Sequence, residues 1–254
     1  MRKPCVAGQF YPADGEKLRE MVESFLFSCE KVGAKGILVP HAGYVYSGRI
    51  AGFAYSRIEV PEVVAIIGPN HTGYGEPVGV SDEDFMTPLG TVKCYGEGVK
   101  KIDSIDNLSH RFEHSIEVQL PFLQVMRKDF CLIAITMMDQ RYDTATSLGK
   151  KLHEALPEGS LVIASSDMSH YVPKEIAEKK DSMAIENMKR MDAEGLYNTV
   201  VENDITMCGY GCAIAMMTFA SLRGAERGEL LKYGSSGDVE PMREVVGYCA
   251  MAFD

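Results

Sequence analysis

Three of the six histidines lie just beyond apolar stretches that are typical of buried strands. These are His41, His71 and His170, and Asp167 stands three residues before His170. The carboxyl ends of the strands in an open α/β sheet line one edge, where ligands bind, so we expect these side chains to converge on one crevice. Imidazole and carboxylate groups gathered in a crevice can bind a metal ion and transfer protons.

Cys208 is a fourth candidate, near the predicted start of an apolar helix that runs to Leu222. A thiol at a helix N-terminus has a lowered pKa, and its thiolate can bind a metal ion or act as a nucleophile. The alternative is that Cys208 packs as a small apolar residue, as most free cysteines do. The sequence contains no CxxC pair, which disfavours a structural zinc site.

A second group of polar residues could contact a substrate. Glu113 and His114 open a predicted helix, where Glu113 also suits the positive end of the helix dipole. Tyr44 and Tyr46 follow His41 closely and could either donate hydrogen bonds to a ligand or simply pack. The two remaining histidines, His110 and His153, lie in polar contexts and are expected at the surface.

The elements that must position these residues follow an alternating α/β pattern. Continuous apolar runs predict strands that are covered on both faces, as in a mostly parallel sheet. The predicted strands are 36–40, 63–67, 131–135 and 161–164, closed by 230–233 and 245–250. The predicted helices are one after Tyr11-Pro12 with helical spacing over 18–29, followed by 115–126, 143–156, 174–191 and 208–222. No linker or repeat divides the chain, so we predict a single α/β domain over residues 1–254, with a mostly parallel central sheet between helices.

Composition excludes several classes of protein. The 254 residues carry 26 Lys and Arg against 36 Asp and Glu, a net charge of −10 without the basic cluster that nucleic-acid binding requires. No apolar run approaches the roughly 20 residues of a membrane span. No export signal is visible and the seven cysteines are scattered, which favours the cytoplasm. P-loop, GxGxxG and GxSxG motifs are absent, which excludes the commonest nucleotide and serine-hydrolase sites.

The motifs around these residues, taken in order, resemble those of the MEMO family and, more distantly, the catalytic subunits of non-haem iron extradiol dioxygenases. The resemblance covers nearly the whole chain. The matching segments are Ala7–Pro12, Val39–Tyr44, Gly68–His71, Thr87–Gly90, Glu113–Glu117, Ser165–His170 and Met207–Gly209. It implies the dioxygenase-like α/β fold. After the cysteine, however, this chain reads Gly209-Tyr210-Gly211 where some relatives have Gly-Arg-His.

The resemblance also assigns roles within the site. It places His41 and His71 as metal ligands, with Cys208 where the dioxygenases have a glutamate ligand. It places His170 as the acid/base, with Asp167 beside it. Two histidines and a carboxylate typically hold Fe(II), whereas a thiolate makes Zn or Cu(I) competitive. We therefore expect a divalent metal cofactor, Fe(II) first and Zn or Cu as alternatives.

Three functions follow as expectations. The first is a non-haem iron oxidoreductase that acts on a small or tethered aromatic or heterocyclic substrate. The second is a non-catalytic module that binds a (phospho)peptide or protein, for which Arg49, Arg111 and Lys93 are the candidate cations. The third is a zinc hydrolase. The resemblance further suggests AMMECR-type and radical-SAM proteins as partners in one pathway.

Overall fold

The computed structural model describes all residues from 1 to 254 and forms one ten-stranded sheet with helices on both faces. The helices are α1 (Gly15–Phe25), α2 (Tyr44–Arg57), α3 (Gly96–Ile102), α4 (Leu120–Met126), α5 (Tyr142–Ala155), α6 (Lys174–Lys189), α7 (Ala193–Glu202) and α8 (Tyr210–Leu222). The strands are β1 (Gly36–Val39), β2 (Val63–Pro69), β3 (Val78–Ser81), β4 (Phe85–Thr87), β5 (Gly90–Cys94), β6 (Cys131–Met137), β7 (Leu161–Ser165), β8 (His170–Val172), β9 (Gly228–Ser235) and β10 (Val245–Phe253).

The four central strands are parallel and run in the order β6-β2-β7-β1. β5 extends this parallel set at β6, whereas β10 adds antiparallel to β1 and carries β8 and β9. Every residue of β1, β2 and β7 is buried, as the continuous apolar runs predict. The predicted α/β class with a mostly parallel central sheet is confirmed.

Two hydrophobic clusters cover the two faces of the sheet. One contains 38 buried residues and includes α5 and α8, and the other contains 30 and includes α1, α2 and α4. No helix of the chain combines the length and apolarity needed to cross a lipid bilayer. Neighbouring residues of each central strand contribute to opposite clusters, as Leu38 and Val39 of β1 do, which explains why these strands lack an alternating pattern.

Some elements depart from the sequence prediction. Helix α2 was not predicted, because its buried residues lie on more than one face and leave no clean amphipathic period. The helix predicted from residue 115 begins with a 3-10 turn at Glu117–Gln119, and its α-helical part begins only at Leu120. The residues just before this turn form an irregular segment in which the side chains of Glu113, Ser115 and Ile116 are buried.

Gly149 of α5 lies against the backbone of α8, and we predict that Gly149→Ala destabilises the protein. An added Cβ would lie 2.5 Å from the Ala215 carbonyl oxygen and 2.6 Å from the Thr218 Cβ. The overlap should cost about 1–3 kcal/mol of unfolding free energy, measured by urea denaturation, and outweigh the better helix propensity of alanine. Gly96→Ala in α3 is the matched control, since nothing lies within 4 Å of its added Cβ. Equal stability of both variants would contradict close packing of α5 on α8.

Candidate metal centre

Three histidines meet at the carboxyl edge of the sheet. Ligand-capable nitrogens of His41, His71 and His114 all lie within 4.8 Å of one another. His41 follows β1 and is 2% exposed, whereas the side chains of His71, after β2, and His114 are 35% and 21% exposed. The cluster is therefore buried on the His41 side and open to solvent on the other, as a site that binds both a metal ion and a ligand must be.

The His41 ring is held from behind. Its Nδ1 lies 3.0 Å from the hydroxyl of Ser165, at the end of β7, and its backbone N–H donates to Asp167 Oδ1 at 2.8 Å. Its Nε2 faces Cys208 Sγ at 3.3 Å. Burial, together with the nearby charges of His114 and His71, lowers the pKa of His41 well below its ordinary value. The ring is therefore neutral at pH 7, the form that binds metals.

Glu113 organises the other two histidines. Its carboxylate accepts hydrogen bonds from the His71 backbone N–H at 2.6 Å, from His71 Nδ1 at 3.0 Å, and from the backbone N–H groups of His114 and Ser115 at 2.8 Å each. Burial alone would raise the pKa of Glu113, but the hydrogen bond to His71 and nearby positive charge lower it to about 2. Burial lowers the pKa of His71, but Glu113 outweighs it and raises that pKa. Glu113 is thus ionised, and its hydrogen bond to Nδ1 fixes the orientation of the His71 ring.

The sequence predicts that Glu113 and His114 contact a substrate. Both residues lie near the histidines, but Glu113 lies behind His71 and His114 is part of the cluster. Glu113 is 1% exposed and its oxygens are occupied by the hydrogen bonds above. His114 belongs to the histidine cluster, which the sequence did not indicate, since His114 does not follow a strand. The sequence signals for His114 were its neighbour Glu113 and the segment Glu113–Glu117, which resembles the MEMO family.

A buried ion pair holds this segment in place. Arg2 donates to Glu117, and its guanidinium also donates to the Glu113 carbonyl. Glu117 further accepts the Cys5 backbone N–H at 2.8 Å and the Tyr11 hydroxyl. Burial would raise the pKa of Glu117, but Arg2 and these donors lower it. The N-terminal arm thus fixes the segment that carries Glu113.

Gly68 in β2 lets the same segment approach the sheet. A Cβ at this position would overlap the Ser115 side chain and press on Ile116. Ser115 in turn donates to the Pro69 carbonyl at 3.1 Å. Because Ser115 follows His114 directly, the lack of a side chain at residue 68 sets how close His114 comes to His71.

Cys208 lies beside His41, but its sulfur is not in the group of ligand atoms that all lie within 4.8 Å of one another, where His114 stands instead. The environment of Cys208 also differs from the expected one. It precedes the N-cap Gly209 of α8, and its Sγ accepts the Asp167 backbone N–H at 3.3 Å. Burial and the neighbouring Asp167 carboxylate raise the pKa of Cys208. The expectation of a lowered pKa is therefore wrong for the metal-free protein, because desolvation outweighs the helix dipole. A bound cation would be needed to deprotonate this thiol.

Asp167 contacts the backbone of His41, and His170 follows it at the start of β8. Asp167 is 5% exposed, and burial raises its pKa to about 6. His170 begins β8, and its Nδ1 lies 2.8 Å from the Thr206 carbonyl, an acceptor only, so Nδ1 carries the proton and Nε2 is free to accept one. The charge of His170 affects the pKa of both Asp167 and His41, which places it within electrostatic reach of both.

The two predicted tyrosine contacts lie elsewhere. Tyr44 is 2% exposed and its hydroxyl donates to the Val118 carbonyl at 2.6 Å, so it packs in the core. Tyr46 lines a separate groove beside Phe53, and its hydroxyl lies 3.4 Å from Glu240. Neither tyrosine thus offers a free donor to the histidine cluster.

His110, which the sequence placed at the surface, is buried. It is 1% exposed, with its Nε2 3.1 Å from the Gly79 carbonyl.

We predict that Glu117→Gln destabilises the protein by about 3–5 kcal/mol, because it leaves the Arg2 charge buried without a counterion. Urea denaturation at pH 7 measures the loss. Because the pKa of Glu117 is lowered by folding, its contribution is complete above its unfolded pKa and declines as the pH falls through the lower folded value. Glu186→Gln, which breaks the exposed pair with Lys189, is the control and should change stability little. Equal effects of the two substitutions would refute a clamp by Arg2.

Comparison with known proteins identifies relatives over the full chain. A family profile described as Memo-like protein matches residues 2–252. A MEMO1 family protein from Methanococcoides burtonii is 46% identical, over 99% of this chain and 99% of the relative. A MEMO1 family protein from Archaeoglobus fulgidus is 42% identical, over 100% of this chain and 99% of the relative. The structure of the uncharacterized protein JW3007 from Escherichia coli K12 matches with a TM-score of 0.54 at 11% identity, over 85% of this chain and 98% of that one, a likeness of fold alone. The chain belongs to the MEMO family.

Proposed function

We propose that this protein is a non-haem iron oxidoreductase related to extradiol dioxygenases. His41 and His71 would hold Fe(II), and Cys208 or His114 would supply the third ligand. The observation that carries the proposal is the cluster of His41, His71 and His114, with Cys208 Sγ 3.3 Å from His41 Nε2. Three histidines that could hold a metal ion, with a thiol beside one of them, thus come from distant parts of the chain to one edge of the sheet.

The donor set fits a divalent metal ion. Nδ1 of both His41 and His71 is held from behind, by Ser165 and Glu113, which leaves each Nε2 for the ion. Two imidazoles with a third donor and an open side suit Fe(II), and a thiolate as the third donor makes Zn or Cu(I) competitive. Bound Fe(II) would supply the activation of dioxygen beside an aromatic or heterocyclic ring.

His170 and Asp167 would handle protons in this reaction. Because the Thr206 carbonyl accepts the His170 Nδ1 proton, Nε2 can take a proton from a ring hydroxyl and return it later. Asp167 accepts the His41 backbone N–H, and with a pKa of about 6 it is mostly ionised at neutral pH. Its negative charge would stabilise the protonated form of His170.

The alternatives use the same site or a different surface. A zinc hydrolase would use the same ligands, so metal analysis of the purified protein separates it from an iron enzyme. A phosphopeptide module needs cations, but Arg49 and Arg111 line two other grooves and Lys93 is paired with Asp84 at 2.7 Å. No specific observation therefore favours phosphate binding at the histidines.

The proposal extends to substrate, partners and location. The substrate would be a small or tethered aromatic or heterocyclic molecule, since the open side of the cluster must admit a ring next to the metal ion. AMMECR-type and radical-SAM proteins would act in the same cytoplasmic pathway.

We predict that His41→Ala weakens Fe(II) binding by at least about 100-fold, because it removes a ligand that Ser165 orients. Anaerobic titration of chelator-treated protein with Fe(II) measures the affinity. Cys208→Ser and His114→Ala identify the third ligand, since the variant that lacks it should bind Fe(II) more weakly by at least the roughly 10-fold lost with an outer-shell partner. His153→Ala, on α5 and outside the cluster, is the matched control. Equal affinity of all four variants and the wild type would refute the metal site.

We predict that His170→Gln lowers ring-dependent oxygen consumption by about 10²–10⁴-fold, the usual contribution of a general base. Fe(II) affinity should stay within a few-fold of wild type, because His170 is not among the proposed ligands. An oxygen electrode with catechol-type substrates measures the rate, with zinc-loaded protein as the control. Iron-loaded wild-type protein that consumes no oxygen with any ring substrate would contradict the oxidoreductase proposal.

A further inference from the structure

We propose that Ser165, oriented by Gln119, acts as a positioning residue that fixes His41 in the tautomer whose Nε2 can bind a metal ion. The effect on metal binding rests on the proposed function. The tautomer itself follows from the hydrogen bonds of the metal-free protein, so the two can fail separately.

The first step is the orientation of the Gln119 amide, which is 1% exposed. Its oxygen accepts the Tyr55 hydroxyl at 2.9 Å, and its NH₂ group donates to the Pro40 carbonyl and to Ser165 Oγ, both at 2.9 Å. A carbonyl oxygen only accepts hydrogen bonds, so a flipped amide would set its own oxygen against that of Pro40. Only the NH₂ group of Gln119 can therefore face Pro40, and it also reaches Ser165.

The second step is the single hydroxyl hydrogen of Ser165. Ser165 Oγ lies 2.7 Å from the Ser115 carbonyl, which only accepts, so the hydroxyl donates its hydrogen there. The contact with Gln119 is already a donation from the amide to Ser165. Ser165 Oγ has no second hydrogen to give, so the His41 Nδ1 that lies 3.0 Å away must be a donor.

The consequence is that His41 carries its proton on Nδ1 and has a lone pair on Nε2, the nitrogen that faces Cys208. Ser165 is fully buried, so water does not compete for these bonds. The chain of bonds ends at Tyr55, whose ring stacks on Phe122 at 4.6 Å between centroids. The core on one face of the sheet therefore determines which nitrogen of His41 is available.

His41 and His71, which follow β1 and β2, are thus oriented by hydrogen bonds to different kinds of side chain. Glu113 is an anion that accepts the His71 Nδ1 proton, whereas the group that accepts from His41 Nδ1 is the neutral hydroxyl of Ser165. A carboxylate in the place of Ser165 would favour a protonated His41, which cannot bind a metal ion. The neutral brace suits the buried position of His41.

The test is long-range ¹H–¹⁵N NMR of the histidine rings in metal-free protein, which distinguishes the two neutral tautomers. We expect the Nδ1–H form for His41 in the wild type, and a mixture or the Nε2–H form in Ser165→Ala. Fe(II) affinity should fall by about 10–100-fold in Ser165→Ala, the usual cost of losing such a partner. Ser169→Ala is the matched control, because Ser169 is equally buried and makes no hydrogen bond to a histidine. It should leave both measurements unchanged.

The outcomes separate the two proposals. An Nε2–H tautomer of His41 in the wild type overturns the positioning role, and this measurement is decisive even where Ser165→Ala does not fold. An unchanged tautomer in folded Ser165→Ala overturns it as well. The expected tautomers in a wild-type protein that binds no metal ion would support the role of Ser165 and refute the metal-dependent function instead.

Discussion

The site depends on two buried carboxylates, four residues apart, that must both remain ionised. Glu117 is neutralised by Arg2 and by donors from the N-terminal arm, and Glu113 is stabilised by His71 and by backbone N–H groups. Neither carboxylate could be buried at acceptable cost without these partners. The irregular segment between α3 and the 3-10 turn at Glu117–Gln119 is therefore held by charge rather than by regular secondary structure, and that segment positions His114.

This arrangement supports two of the three clustered histidines, His71 and His41. The segment that carries Glu113 braces His71 directly, and through the Ser115 carbonyl and Gln119 it also braces Ser165 behind His41. Two histidines that follow separate strands thus share one support. Because that support is buried on one side and the histidines are exposed on the other, the rings are preorganised while the approach to them stays open.

The sequence predicted the parts of the site that follow regular strands. His41 and His71 could be placed because apolar runs are readable and parallel strands end at one edge. His114 could not be assigned to the cluster, because it lies in a segment whose path is set by Arg2, more than 100 residues away. The raised pKa of Cys208 could not be predicted either, because it results from burial beside Asp167, which only the folded chain creates. Likewise, α2 was missed because its buried faces leave no period.

Gly68 shows that the site can be disrupted by a substitution at a residue that is not itself one of the clustered side chains. Any larger residue there would push Ser115, and with it His114, away from the sheet, although every metal-binding side chain would still be present. A homologue or engineered variant judged only by whether its histidines are present would then be scored as intact although those histidines no longer converge. Libraries that aim to alter metal preference should keep residue 68 fixed and diversify the solvent-facing rim around His71.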